Sequence, residues 1–318
     1  MSMLVRRGEA SRAQAAHQPD AHWVAIEGGA EVARCSLWWR QAPPLDGERT
    51  AAIGHFAAAP GAAQAARALL ERACRELRAH GATLAVGPMD GNTWRSYRLV
   101  SDAGQEPPFF LEPWNPPEWN THFTAAGFTP LAGFHSSATA DLATVDERIP
   151  EAAERLRAGG VKLRSLDPAR FVAELERIHA LSLEAFARNF MFTPLTREEF
   201  VAQYRPIEAH VDPRLVLVAE RDGELAGFLF AVPDLLQAQR AEPVTSVVVK
   251  TVAVRAGRRH AGLGAWLTAE CHARAAAAGL RRAVHALMHD ANNSANISRR
   301  YAGILRRYTL YARRLDGP

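Results

Sequence analysis

The chain has 318 residues, 48% of them hydrophobic and 23% charged, enough for two domains of ordinary size with real cores. Its formal charge of +4 is carried almost wholly by arginine, Lys162 and Lys250 being the only lysines, and the basic residues are interleaved with 34 acids, which argues against a nucleic-acid surface. Cys35, Cys74 and Cys271 stand far apart with no C-x-x-C pair, which argues against a disulfide framework and a zinc site and fits a reducing cytoplasm.

Residues 1–21 are polar and alanine-rich and read as a frayed end, with arginines but no apolar core of the signal-peptide type. No run approaches the ~20 apolar residues of a membrane span. Residues 22–40 form a hairpin turning at Gly28-Gly29, and residues 50–56 a strand. Residues 61–80 form an amphipathic helix with Gly81 just past its end. A short strand at 82–86 runs into Gly87-Pro88-Met89-Asp90-Gly91-Asn92, a loop by composition. The segment 107–119 is irregular and rich in proline and aromatics; a helix follows near 118–126 and a strand over 135–142.

Residues 148–160 look like a connector, after which the order repeats. A strand at 161–166, helices at 168–188 and 196–204, and a hairpin over 214–232 turning at Asp222-Gly223 lead to a strand at 247–254. A basic turn, a helix, a strand at 282–289, a short helix at 292–302 and a strand at 304–313 complete the chain. The halves share an order of elements without evident sequence identity, so the repeat is one of architecture. Arg299, Arg300, Arg306, Arg307, Arg313 and Arg314 form the one local basic cluster, read as serving an anionic cofactor or as simply solvated.

The stretch 247–267, VVVKTVAVRAGRRHAGLGAWL, organises the second half. A buried β-branched strand feeds a glycine turn and a helix start, which exposes backbone N–H groups at the positive end of the helix dipole, where a phosphate fits. A P-loop is excluded because no Gly-Lys-Ser/Thr follows, and a dinucleotide fingerprint because only two glycines have relevant spacing. The spacing Arg259-x-x-Gly262-x-Gly264 resembles the (Gln/Arg)-x-x-Gly-x-(Gly/Ala) signature of the GNAT (GCN5-related) N-acetyltransferase family. The phrases GHFAAAP, AVGPMDGNTW and FLEPWNPPEW extend the likeness to bacterial proteins with two such domains, of which only the C-terminal one carries the cofactor motif.

The resemblance implies an α/β (α+β) fold of two tandem GNAT-like domains, each a mixed, mostly antiparallel twisted sheet flanked by helices. Their bounds would be 22–147, lacking the coenzyme A loop, and 161–318, binding acetyl-CoA, with a flexible 1–21 and a linker at 148–160. It implies that acetyl-CoA is the co-substrate, held by Val252, Ala253, Val254, Arg259, His260, Ala261, Gly262, Leu263, Gly264, Ala265 and Asn292. The family's usual tyrosine position is Arg299 here, with Tyr301 two residues away, and the usual glutamate position on the strand is Val248. His289 and Tyr301 are therefore the candidate catalytic residues, with a structural role for His289 the alternative. Trp94, Phe109, Trp114 and Asn115 either line an acceptor pocket or, in the case of the aromatics, cap a small core.

The expected reaction is transfer of an acetyl or short acyl group to a primary amine of a small molecule or peptide by direct attack on the thioester, without a metal. The competing reading is a non-catalytic acyl-CoA sensor. A cytoplasmic monomer or homodimer, with no nucleic-acid or membrane partner, completes the expectation.

Overall fold

The computed structural model describes residues 3–144, 146–291 and 302–315. The chain opens with β1 (Met3–Arg7), a short helix α1 (Arg12–Ala15) closed by a capping box of Ser11 and Gln14, and β2 (Ala21–Glu27). β1 pairs antiparallel with β2, so the stretch read as frayed is an edge strand whose Met3 and Val5 pack on the first core. β3 (Ala30–Trp38), β4 (Thr50–Ala58), α2 (Ala63–Ala79) and β5 (Leu84–Gly87) follow. Helix α2 forms because Ala66, Leu69, Leu70, Ala73 and Leu77 recur at helical spacing and are buried together. The first half ends with β6 (Leu99–Asp102), α3 (Glu118–Ala125) and β7 (Thr129–Thr139).

Residues 148–160, read above as a linker, hold helix α4 (Arg148–Ala158), whose Ile149, Ala153 and Leu156 are buried in the second core. Next come β8 (Lys162–Ser165), α5 (Phe171–Ala185), α6 (Arg197–Tyr204), β9 (Leu217–Arg221) and β10 (Glu224–Pro233). The chain continues through α7 (Leu235–Gln239), β11 (Ser246–Val254), α8 (Leu263–Ala277), β12 (Arg282–His289) and β13 (Ala302–Arg314). No helix among the described residues is long and apolar enough to cross a membrane.

All the strands join one sheet in the order β1-β2-β3-β4-β5-β13-β7-β12-β11-β10-β9-β8, with β6 beside β13. Among the described residues two pairs are parallel, β4 with β5 and β11 with β12, and the others are antiparallel. The final strands of the two halves are exchanged. β13 lies between β5 and β7, and β7 lies between β13 and β12, so each half completes its sheet with a strand of the other.

Arg306 on β13 locks this exchange. The basic cluster was expected to serve an anion or face solvent, but Arg306 is 1% exposed. Its Nη2 donates to the carbonyls of Glu106 and Pro107 at 2.9 and 3.1 Å, its Nη1 donates to Ala103, and its Nε lies 2.7 Å from Glu112 Oε1. Tyr308 donates to the same Glu112 carboxylate, whose other oxygen accepts the Phe109 N–H at 3.1 Å. A last strand from the second half thereby fixes the proline-rich loop of the first. Arg306→Met leaves a buried carboxylate unpaired and is expected to cost about 3–5 kcal/mol in denaturant unfolding, whereas Arg306→Met with Glu112→Leu recovers most of it. A double variant as unstable as the single would show that the ion pair is not what the loop depends on.

Candidate active site

The site is a gap between parallel strands. β11 and β12 pair from Ser246↔Arg282 to Val249↔His285 and then part. Against β10 the register skips at Lys250, the bulged residue between Val249↔Ala231 and Thr251↔Phe230. On β12, Leu287 has φ +62 and the register with β7 shifts between His285 and Met288, with the Leu287 N–H bonded to Ser136 Oγ at 3.0 Å. Bulges of this kind turn a strand and re-aim side chains. The gap opens into a cavity of about 1260 Å³ whose walls include Val252–Val254, Gly264 and Thr268 on one side and Ala286–His289 on the other. Its far wall is apolar, built from α5 and α6 with Phe171, Ile178, Phe186 and Phe200. The first half contributes residues 93–98 and 111–113.

At one end of the cavity stands the glycine turn. Gly257 and Gly262 have φ +122 and +88, and a Cβ on Gly262 would lie 3.1 Å from Ala152 Cβ on α4. Arg155 of the same helix donates to Ala261 O at 2.7 Å, so α4 braces the turn. The first bond of α8 runs from Trp266 N–H to Gly262 O at 3.0 Å, which leaves the N–H groups of Leu263, Gly264 and Ala265 without an intrahelical acceptor. Buried His260 is tied by Nδ1 to Arg255 O at 3.0 Å, and Arg255 is paired with Glu184 and Glu224. Arg258 and Arg259 are exposed and make no ion pair among the described residues, which leaves two guanidinium groups for an anion beside the helix end. The donor set fits a pyrophosphate.

Lys250, at the bulge, projects into the cavity and donates to Leu111 O at 3.0 Å. Desolvation, reinforced by the Arg98 charge and only partly offset by Glu112, brings it down to about 7. Arg98 is itself buried against the rings of Tyr97 and Phe134, 3.9 and 4.2 Å from their centroids, and its Nε and Nη1 have no acceptor among the described residues. Both cations line the cavity. The sequence shows Lys250 only as an interruption in an apolar strand; that it is one of two lysines in the chain was the available signal.

Of the residues singled out from sequence, Val252, Ala253, Val254, Gly264, His289 and Trp94 meet at this cavity, and Arg259 and His260 line a small depression nearby. His289 packs against Phe134 and Phe190, and its Nδ1 accepts the Ala291 N–H at 3.1 Å, which places the proton of the neutral ring on Nε2. Burial holds it below the usual imidazole range. His285 faces the cavity too but is engaged with His272, Nε2 to Nε2 at 3.0 Å. Trp94 donates to Thr193 O at 2.7 Å. Phe109 is buried with Val232, Val248 and Val284, Asn115 holds the backbone of Val100 at 2.7 Å, and Trp114 is exposed over Arg306. Asn292 and Tyr301 lie outside the described residues.

Residues 174–298, which span the gap and the glycine turn, match the acetyltransferase (GNAT) family model. The C-terminal half carries a GNAT domain. Over 224 residues the chain is 29% identical to the bacterial ceramide synthase of Caulobacter vibrioides, a match covering 68% of this chain and 56% of that protein. The chain thus spans little more than half the length of that curated relative. In fold it resembles a GCN5-related N-acetyltransferase from Sphaerobacter thermophilus, at TM-score 0.52 and 14% identity over 98% of this chain and 96% of that one. It also resembles a tandem GNAT protein from the clavulanic acid biosynthesis pathway, at TM-score 0.51 and 17% identity over 98% and 90%. The fold is that of two GNAT-like units in tandem.

If the glycine turn of the GNAT domain holds pyrophosphate, an acyl-CoA at ~100 times its dissociation constant stabilises the protein by about 2.7 kcal/mol. Gly264→Glu places a carboxylate at that point and is expected to abolish the thermal shift. An equal shift in wild type and variant would remove the phosphate from this turn.

Proposed function

We propose that this protein is an acyl-CoA-dependent N-acyltransferase acting on a primary amine carried by an apolar, lipid-like acceptor. The observation that carries this reading is one cavity lined by Gly264 at the start of α8, by the cation Lys250 and by the apolar vault under α5 and α6, with Arg259 and His260 of the glycine turn lining a separate small depression. At about 1260 Å³ it exceeds the roughly 300–1000 Å³ of ordinary small-molecule sites. An acetyl group and a small amine would leave much of it empty, so the size favours a longer acyl chain or a long-chain amine over the short acyl group expected from sequence. A relative named for ceramide, an N-acylated lipid amine, supports the same direction.

In the proposed reaction the amine nitrogen attacks the thioester carbonyl, the C–S bond breaks, and sulfur leaves as thiolate. The proton lost from the amine passes to Lys250, which is partly neutral near pH 7. His289 donates from Nε2 to an oxygen or to the departing sulfur, a role that follows from its occupied Nδ1. A non-catalytic sensor has no use for a lysine held in this state, which favours catalysis.

The test is acceptor-dependent release of thiol from acyl-CoAs of increasing length, with sphinganine and a short amine as acceptors. Turnover is expected to favour the longer acyl chains and the lipid amine. Because Lys250 must be neutral, kcat/KM should rise with pH through about 7 and then level off. Lys250→Met is expected to remove that limb and lower the rate about 10²–10⁴-fold while the acyl-CoA thermal shift persists. Loss of the limb in His289→Gln but not in Lys250→Met would exchange the two roles. No thiol release with any acceptor would leave the sensor.

A further inference from the structure

The first half closes its own parallel-strand gap and gathers there polar groups that acyl transfer does not use. β4 and β5 pair from Thr50↔Leu84 to Ala52↔Val86 and then part, as β11 and β12 do. Here the loop after β5 plugs the opening. Met89 is fully buried and donates its N–H to Ile53 O at 2.8 Å, and a Cβ on Gly54 would lie only 2.1 Å from Met89 O.

At the rim of this plug, His17 after α1, His55 on β4 and Asp90 in the loop each bring one donor atom to within 4.8 Å of the others. His17 Nδ1 lies 2.8 Å from His55 Nε2, which lies 3.9 Å from Asp90 Oδ2. A tetrahedral ion with bonds of about 2.0–2.1 Å sets its ligand atoms roughly 3.3 Å apart, so the first pair would open and the second close by about half an ångström each.

The surroundings orient these donors. Ser36 Oγ lies 2.9 Å from His55 Nδ1 and 2.8 Å from His22 Nδ1. With His55 donating to Ser36 and Ser36 donating to His22, the lone pair of His55 falls on Nε2, toward His17 and Asp90. An oxygen behind the ring holds metal-bound imidazoles in the same way. Asp90 spends Oδ1 on the His55 backbone N–H at 2.5 Å, leaving Oδ2 on the histidine side. His55 itself is held at φ +47, a left-handed conformation that a non-glycine residue keeps only where its surroundings enforce it. Burial keeps both imidazoles below their usual range, with the Arg95 charge adding to the effect, so each has a lone pair to give at neutral pH. Arg95 directs its Nη1 to the carbonyls of His17 and Asp90 at 3.0 and 3.4 Å, fixing both segments, and its charge favours the ionised Asp90 carboxylate against the burial that raises it.

We propose that His17, His55 and Asp90 form a binding site for a divalent first-row transition ion of the zinc class, water completing its shell. Two imidazoles and a carboxylate are a donor set for such ions. The ion would fasten the N-terminal segment to β4 and to the plug. The donors stand 38 and 35 residues apart in sequence, so no local spacing announces them.

The test uses the untagged 318-residue chain, freed of metal by chelation and dialysis. It is titrated with Co²⁺ by visible absorption and with Zn²⁺ by thermal denaturation. The expected result is one Co²⁺ per chain with a d–d band, displaced by Zn²⁺, and a Zn²⁺-dependent rise in Tm. His17→Gln and Asp90→Asn should each weaken Co²⁺ at least ~10-fold and abolish the rise. His17 is in a half-exposed loop, so His17→Gln carries the test even if changes at His55 disturb folding. His135→Gln removes a closer histidine–carboxylate contact elsewhere, to Asp290 at 2.6 Å, and should leave both signals in place. No band and no rise in wild type would overturn the proposal. So would a band that survives in His17→Gln or vanishes only in His135→Gln.

Discussion

A guanidinium taken out of water must be surrounded by oxygens, and among the described residues Arg306 finds its oxygens in the other half of the chain. That requirement makes the exchange of β7 and β13 more than a matter of backbone pairing. With β13 seated between β5 and β7, the 106–112 loop is pinned beneath it, and Leu111 and Glu112 are brought to the wall of the cavity. Lys250 then finds its acceptor in Leu111 and its counter-charge in Glu112. The cavity of the GNAT domain is therefore lined by both halves, although the glycine turn belongs to one.

The two halves also show one geometric device put to different ends. In each, two parallel strands pair for three or four residues and then separate, which frees backbone groups on both edges. In the second half small and bulged residues keep the gap open onto the cavity. In the first half Met89 and Asp90 supply those contacts from within the chain, through the close approach that Gly54 alone permits. A closed gap needs no phosphate turn at its end, and the helix that follows β4 accordingly starts without one.

Much of this was legible locally. β12 runs over the residues its apolar pattern indicated, the Gly28-Gly29 and Asp222-Gly223 hairpins turn where their dipeptides predict, and Arg259 to Gly264 marks the turn before α8. The misses have physical causes. α4 looked like a connector because Pro150 and the Gly159-Gly160 pair crowd an eleven-residue helix, although its buried positions follow helical spacing. β1 is too short for its alternation to stand out, and the strand exchange leaves no local trace because pairing partners are chosen by tertiary packing. In sequence Lys250 reads as an interruption and Arg306 as part of a cluster that serves an anion or faces solvent, since a single sequence does not show which long side chains turn inward. Of the four residues that could line a pocket, Trp94 borders the cavity, Phe109 packs in a core and Asn115 holds the backbone of Val100, while Leu111 and Glu112, which no sequence pattern marks, line the cavity.

The central claim is that one acyl-CoA cleft lies between β11 and β12 and is roofed by the first half. Hydrogen–deuterium exchange with and without a long-chain acyl-CoA tests it directly. The account predicts slowed exchange at residues 250–254 and 263–268 together with residues 93–98 and 111–113, and none at residues 53–57. Slowing confined to the second half, or appearing at 53–57, would contradict it.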